Sequence, residues 1–252
     1  MKKPDIIGLT GLKFTGKDTV AQLLKTHLQF AQLAFADPLR NEICDAYNCP
    51  TSLFTNRESK ERPSEALALL NCANHEFVGL MLKLEAAGKA TCNLTSFLEA
   101  PRSPRWLMQQ WGTEYRRKTT HENYWTRNMI ARVKAHQDGH QWRTVISDVR
   151  FQNEADTIRL MGGVIWQINR PEASHDASHV SETDGSEFKP NLVIENDTDI
   201  AGLQSLVLGG WLQREASITA SDVFRIGLAH HSQASRDWHA SAPASQLTGA
   251  AA

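Results

Sequence analysis

The chain has 252 residues, 41% of them hydrophobic, and a formal net charge of −1. That length suits one α/β domain with an insertion or two small domains, and the near-zero charge excludes bulk attraction to nucleic acid or a membrane surface, so an anionic partner must be held by local clusters of Arg and Lys. Cys44, Cys49, Cys72 and Cys92 show neither metal-ligand spacing nor a Cys-x-x-Cys pair, the usage of reduced thiols in a cytoplasmic protein, and Met1-Lys-Lys-Pro-Asp5 leads directly into a strand too short to span a bilayer, so no signal peptide or membrane association is expected.

Ile6 to Thr10 reads as an apolar strand. It runs into Gly11-Leu-Lys-Phe-Thr15-Gly16-Lys17-Asp18-Thr19, and a helical pattern follows from Lys17 to about Leu28. Strand, glycine loop and helix in that order form a triphosphate site. Gly11 permits a tight turn and Gly16 a close backbone approach to a phosphate. Peptide N–H groups then converge on an anion at the start of a helix dipole, and Lys17 follows the outer phosphates as a point charge. Gly11, Thr15, Gly16, Lys17, Asp18 and Thr19 are the expected ATP-binding set. Where the loop motif asks for Ser or Thr to reach Mg²⁺, Asp18 stands, with Thr19 after it; a carboxylate serves a hard cation directly or through water.

Gln29 to Ala36 reads as a short second strand. The next helix is expected to take Asp37 as its N-cap and Pro38 in its first turn, with Leu39, Ile43, Ala46 and Tyr47 on one apolar face. Strands alternating with helices predict a parallel sheet covered on both faces. Residues 48–104 break this rhythm. They read as a mostly helical insertion, with patterns at Ala66–Leu70 and Phe77–Leu84 and a loop from Gly88 to Thr95. Such an insertion either closes over substrates or is an ornament.

Ser103 and Pro104 can open a helix. On its wheel Leu107, Met108, Trp111 and Tyr115 share a core-like face, while Arg105, Gln109, Gly112 and Arg116 share a polar one. The polar stripe suits a phosphate or a base edge, or is a solvated face. Thr119 or Thr120 is expected to cap the next helix, which runs to about His136. From the pattern alone its Trp125 reads as core ahead of a base-stacking platform. Asp138-Gly139 reads as a turn.

Thr144 to Ser147 reads as a buried strand with Asp148 at its carboxyl end, where ligands gather in an open parallel sheet. Asp148 is placed to bind a magnesium-coordinated water or a substrate hydroxyl, or to cap a helix from about Asn153 to Met161; Arg150 is placed to meet a phosphate. Gly162-Gly163 ends that helix in left-handed conformations. Strands at Val164–Asn169 and Leu192–Glu195 flank a polar loop, Asn196-Asp197 turns, and a helix runs from Ile200 to about Arg214. Residues 1–217 are read as one domain carrying the insertion at about 48–104, and 218–252 as a disordered tail.

Taken in order, Gly11-x-x-x-x-Gly16-Lys17-Asp18-Thr19, Phe35-Ala-Asp-Pro-Leu39, Leu53-Phe-Thr-Asn-Arg57 with Lys60-Glu61, Arg105-x-x-x-Gln109-x-x-Gly112-Thr113-Glu114, Tyr124-Trp125, Ser147-Asp148-Val-Arg150-Phe-x-Asn-Glu154, Arg170-Pro171 and His179-Val-Ser-Glu182 resemble the bacteriophage deoxynucleoside monophosphate kinases, a branch of the P-loop kinases. The resemblance spans roughly residues 5–210, and Gly-Lys-Asp-Thr is a mark of that branch. It implies a three-layer αβα fold and transfer of the ATP γ-phosphate to a deoxynucleoside 5′-monophosphate, with ATP and Mg²⁺ as cofactors. It associates counterparts of Trp125 and Asp148 with acceptor binding and catalysis, and raises Trp125 as a base-side residue. The expected catalytic set is Lys17, Asp148 and Arg150, with metal at Asp18 and Asp148. Asp37, Arg57, Arg105, Gln109, Arg116 and Trp125 are the acceptor candidates, and Arg170, His179 and Glu182 the lid or phosphate candidates. Small nucleotides are the expected partners, and a homodimer is common among similar kinases. The competing readings are a kinase for a hydroxymethylated pyrimidine in phage DNA, which the near-neutral charge disfavours, and a module that binds a nucleotide without transferring its phosphate.

Overall fold

The computed structural model describes residues 5–56, 58–87, 93–171 and 189–216, and the chain divides into two units after Asp197. The first unit is built on a five-stranded parallel sheet in the order β2-β3-β1-β4-β5. The strands are β1 (Asp5–Thr10), β2 (Ala31–Leu33), β3 (Arg143–Ile146), β4 (Val164–Asn169) and β5 (Leu192–Glu195). Their buried runs of Ile, Val and Leu are what a sheet covered on both faces requires. The central strand β1 pairs Ile6 with Thr144 of β3 on one side and Gly8 with Ile165 of β4 on the other.

Helices α1 (Lys17–Leu28), α2 (Ala36–Tyr47), α7 (Tyr124–Asp138) and α8 (Gln152–Leu160) flank the sheet in a three-layer arrangement. β2 is shorter than its apolar run, because only Ala31–Leu33 pair with β3. The insertion holds α3 (Ser52–Thr55), α4 (His75–Ala87), α5 (Leu94–Glu99) and single 3₁₀ turns at Ser59–Glu61, Glu65–Leu67 and Leu69–Asn71. The pattern expected at Ala66–Leu70 is thus two short turns. Phe54, Leu67, Leu69, Phe77 and Met81 sink into the core shared with Trp111 and Tyr115.

Helix α6 (Pro104–Gln109) starts as expected, with the Ser103 hydroxyl accepting from the Trp106 N–H at 3.2 Å. At Gln110 the chain widens into a π-helix that continues to Thr120. Thr119 and Thr120 therefore end that segment, and Asn123 precedes α7. At the turn expected at Asp138-Gly139, Gly139 closes α7 at φ −81° and the left-handed residue is His140, at φ 64°. After α8 only Gly162 is left-handed; Gly163 serves close packing, since a Cβ there would lie 2.9 Å from the Ile6 carbonyl oxygen. The described part of the second unit is a helix, α9, over 200–216, with Leu203, Val207 and Trp211 at four-residue spacing. The expected tail at 218–252 lies outside the described residues.

Candidate active site at the carboxyl edge of the sheet

The loop between β1 and α1 turns on its two glycines. Gly11 has φ +134°, and a Cβ there would sit 2.2 Å from the Ile168 carbonyl oxygen; Gly16 has φ +100° and would press a Cβ to 2.5 Å from Asn196 Nδ2. Both positions demand a residue with no side chain. Buried Thr15 donates its hydroxyl to the Leu12 carbonyl at 3.0 Å. Lys17 Nζ folds over the loop, donating to the carbonyls of Gly11 at 2.7 Å and Leu12 at 2.5 Å. Asp18 and Thr19 are exposed in the first turn of α1. The loop is clamped from β5: Asn196 Nδ2 donates to the Thr15 carbonyl at 2.8 Å, while the Asn196 N–H donates to Asn169 O at 2.7 Å.

Beyond β3 the backbone is stitched to both neighbouring strands, Ser147 N–H to Leu33 O and Val149 N–H to Leu9 O, each at 3.0 Å. Asp148 lies between those ties, beside the glycine loop. Its Oδ1 accepts from the Phe35 N–H at 2.7 Å and its Oδ2 from the Ala36 N–H at 2.9 Å. It therefore caps α2 from across the sheet, and does not cap α8. Burial pushes its carboxyl up from the ordinary value, opposed by those N–H groups and by Arg150 and Arg40. Each oxygen keeps a second lone pair for a water or hydroxyl.

Arg150 is exposed on a loop that Glu154 fixes. Glu154, 2% exposed, accepts from the N–H groups of Arg150 at 2.8 Å and Phe151 at 3.2 Å and pairs with Arg117 at 2.6 Å. The Arg117 guanidinium lies 3.9 Å over the Phe151 ring. Burial raises the Glu154 pKa against the pull of Arg117.

Several other candidates take positions different from those expected. Asp37 is not the N-cap of α2; Phe35 is, and Asp37 lies in the first turn. Its carboxylate accepts from the Ala34 N–H at 3.0 Å and pairs with Arg40 and Arg132, each at 2.9 Å. Both oxygens are thus engaged in holding the start of α2. Trp125 is 3% exposed, donates its indole N–H to the Gly112 carbonyl at 3.0 Å and meets Tyr124 edge-on at 4.8 Å. It is a core residue in this conformation, as its pattern alone had indicated.

The polar stripe on α6 divides between two partners. Arg105 ion-pairs with Glu61. Arg116 pairs with Glu42 at 2.7 Å and stacks over Tyr115 and Tyr124 at 4.4 and 4.9 Å. Gly112 between them is buried, with its Cβ direction 3.3 Å from Leu39, and Gln109 is half-buried. Arg170 is exposed just past β4; Arg57, His179 and Glu182 lie outside the described residues.

Sequence reasoning missed the second rank of the site. Glu42 gathers the Trp111 indole N–H at 2.8 Å, Arg116 and the Tyr124 hydroxyl at 2.6 Å. Arg132 ties α7 to the Ala34 carbonyl at 2.8 Å. Burial and the charges of Arg40, Arg105 and Arg150 hold the Lys60 ammonium below the ordinary lysine value, with Asp18 opposing. The only sequence signal was Arg40 at i+3 from Asp37 and Lys60 beside Glu61.

For a metal, no group of three His, Cys, Asp or Glu side chains converges among the described residues. Asp18, Thr19 and Asp148 offer hard oxygens only. That fits a magnesium ion held by one or two carboxylates, waters and substrate phosphates, and does not suit an all-protein cage.

A parallel α/β sheet with a glycine loop, a helix amino terminus and a carboxylate at adjacent strand ends defines a phosphate-loop nucleotide-binding protein. The sequence profile of the deoxynucleotide monophosphate kinase family matches residues 81–207. The chain belongs to that family. It is 27% identical over 219 residues to an Acanthamoeba polyphaga mimivirus protein that carries the same family name, covering 81% of this chain and 94% of that one. It is 22% identical over 233 residues to the deoxynucleotide monophosphate kinase of Enterobacteria phage T4, covering 80% and 96%. Among solved structures it is similar to an unliganded sugar kinase from a Janibacter species (TM-score 0.40, 11% identity, 84% of this chain and 95% of that). It is also similar to dephospho-CoA kinase from Campylobacter jejuni (TM-score 0.39, 14% identity, 82% and 96%). Both structural likenesses are too weak to add to the strand order. No described helix is long and apolar enough to cross a membrane.

Proposed function

We propose that the protein transfers the γ-phosphoryl group of ATP to the 5′-phosphate of a deoxynucleoside monophosphate. The observation that carries this reading is the adjacency of the clamped glycine loop after β1 and Asp148 after β3, on neighbouring strands of one sheet edge. The bond from Pγ to the β–γ bridging oxygen breaks. The bond from an acceptor phosphate oxygen to Pγ forms, and ADP and a deoxynucleoside diphosphate leave. The acceptor phosphate is ionised at neutral pH, so no strong base is needed, and the protein supplies alignment and charge.

The loop amides and the α1 amino terminus hold the donor phosphates. Lys17, now resting on the loop carbonyls, turns to the β- and γ-phosphates. Arg150, on the loop fixed by Glu154, meets the acceptor or transferred phosphate. Asp18 or Thr19, with Asp148, would hold Mg²⁺ and its waters; the ion when bound neutralises phosphate charge. The Asp148 carboxylate also holds α2 in register with the loop through Phe35 and Ala36.

Steady-state assays with ATP and each dNMP test the reading. Lys17→Met is expected to lose about 10²-fold in turnover while keeping its circular dichroism and melting transition. Unchanged turnover would reject the donor site. ATP binding with no acceptor-dependent ADP release from any dNMP would reject the kinase.

A further inference from the structure

We propose that Lys60, in the insertion, is a phosphate-contacting residue of the acceptor side, delivered to the cleft by a braced turn. This rests on the kinase reading above.

The Ser59–Glu61 turn is a single 3₁₀ turn fastened on both sides of Lys60. The Ser59 hydroxyl reaches the carbonyls of Leu53 and Asn56, each at 3.1 Å, which ties the turn to α3. The Lys60 N–H donates to Asn56 O at 3.3 Å, and the Arg62 N–H to Ser59 O at 3.1 Å. On the other side, Glu61 ion-pairs with Arg105 of α6. The turn is therefore held at its two neighbours, and the middle side chain is presented.

The charges that act on that side chain are mostly positive. Arg40 comes from α2, Arg105 from α6 and Arg150 from the loop after β3; the opposing charge is Asp18 of α1. Arg40 is already paired with Asp37, and Arg105 with Glu61. Lys60 is half-buried and has no ion-pair partner among the described residues. A half-buried ammonium among guanidinium groups is unfavourable unless an anion of high charge enters. A phosphate with two charges or more, between Arg150 and the start of α1, is the anion that such a group of cations would take. Burial and the three arginines hold the Lys60 ammonium below the ordinary lysine value, with Asp18 opposing. Its positive form, needed for an incoming phosphate, is thus lost at a lower pH than for an exposed lysine. In the free enzyme kcat/KM for the dNMP should fall along that alkaline limb.

The test compares the full-length wild type with Lys60→Met and Lys60→Arg, assayed with ATP and the best dNMP across alkaline pH; thermal melts show whether each variant folds. Lys60→Met is expected to lose about 10²-fold in kcat/KM for the dNMP, with KM for ATP changed by less than about twofold and the alkaline limb weakened. Lys60→Arg keeps its charge, so it should recover most of the activity and move the limb to higher pH. Wild-type kcat/KM in a folded Lys60→Met enzyme overturns the proposal, as does a loss confined to KM for ATP. An unmoved alkaline limb in an active Lys60→Arg enzyme overturns it also. A wild type inactive on every dNMP is a different failure and overturns the parent reading.

Discussion

Replacing Asn196 by Ala separates the phosphate loop from the sheet while leaving every residue of the expected ATP-binding set unsubstituted. Asn196 is 7% exposed, and its Nδ2 donates to the Thr15 carbonyl at 2.8 Å. Removing that donor leaves a buried carbonyl without a hydrogen bond, which costs about 1–3 kcal/mol. If about 1 kcal/mol of that is the cost of re-ordering a loosened loop around the triphosphate, KM for ATP rises about fivefold. KM for the dNMP should stay within about twofold. Gly16 supplies an internal control, because the same amide stands 2.5 Å from the position of its missing Cβ. Gly16→Ala alone meets both that clash and a φ of +100°. In the double variant Gly16→Ala/Asn196→Ala the clash is gone and the backbone strain, about 1–3 kcal/mol, remains. The two substitutions should therefore be non-additive, with the double variant less destabilised than the sum. Urea unfolding and ATP-dependent kinetics measure both. Additive free energies with an unchanged KM for ATP in Asn196→Ala would refute the clamp.

Two further substitutions test the supports of the site. Glu42→Ala strips the acceptor from the Trp111 indole, Arg116 and the Tyr124 hydroxyl; a loss of about 2–4 kcal/mol in urea unfolding is expected, and a loss below about 0.5 kcal/mol would show that the three donors find other partners. Glu154 has its pKa raised above the ordinary 4.5 by burial. The folded state therefore holds a proton that the unfolded chain gives up, so this group's contribution is fully present below that ordinary value and is lost as pH rises through the raised one. The stability of wild type minus that of Glu154→Gln should accordingly fall as pH increases toward neutrality; a gap that is flat or widens would contradict the assignment.

Local backbone demands made much of this fold legible in the sequence. Gly11 and Gly16 announced the loop because no other residue fits those conformations. β4 and β5 have the expected limits, Val164–Asn169 and Leu192–Glu195, because each is an apolar run closed by Gly or Asn. What escaped was set by partners distant in the chain. The cap of α2 comes from Asp148, about a hundred residues on, so local reading gave the role to Asp37. The wheel drawn for α6 assumed 3.6 residues per turn throughout, whereas the ladder lengthens at Gln110, where Trp111 and Arg116 are both held by Glu42 of α2. That wheel put Arg105 and Arg116 on one face, and the structure sends them to different carboxylates.

The same contrast bears on which cations matter for phosphate. Residue type alone makes every arginine near the loop a candidate. An arginine already paired to a carboxylate, however, brings an incoming phosphate a dipole more than a charge, and must break or share a charge-assisted bond to help. Arg116 with Glu42 and Arg117 with buried Glu154 are of this kind. Arg40 and Arg132 share the single Asp37 carboxylate, so that trio keeps a net charge of +1 near the start of α2. Arg150 is anchored through its backbone, which leaves its exposed side chain to a ligand. Lys60 sits on a turn whose own carboxylate, Glu61, is committed to Arg105. On the reading proposed above, charge available to a second phosphate concentrates at Arg150, Lys60 and the Arg40 end of α2, and selection among the arginines is made by the carboxylates that the fold places beside them.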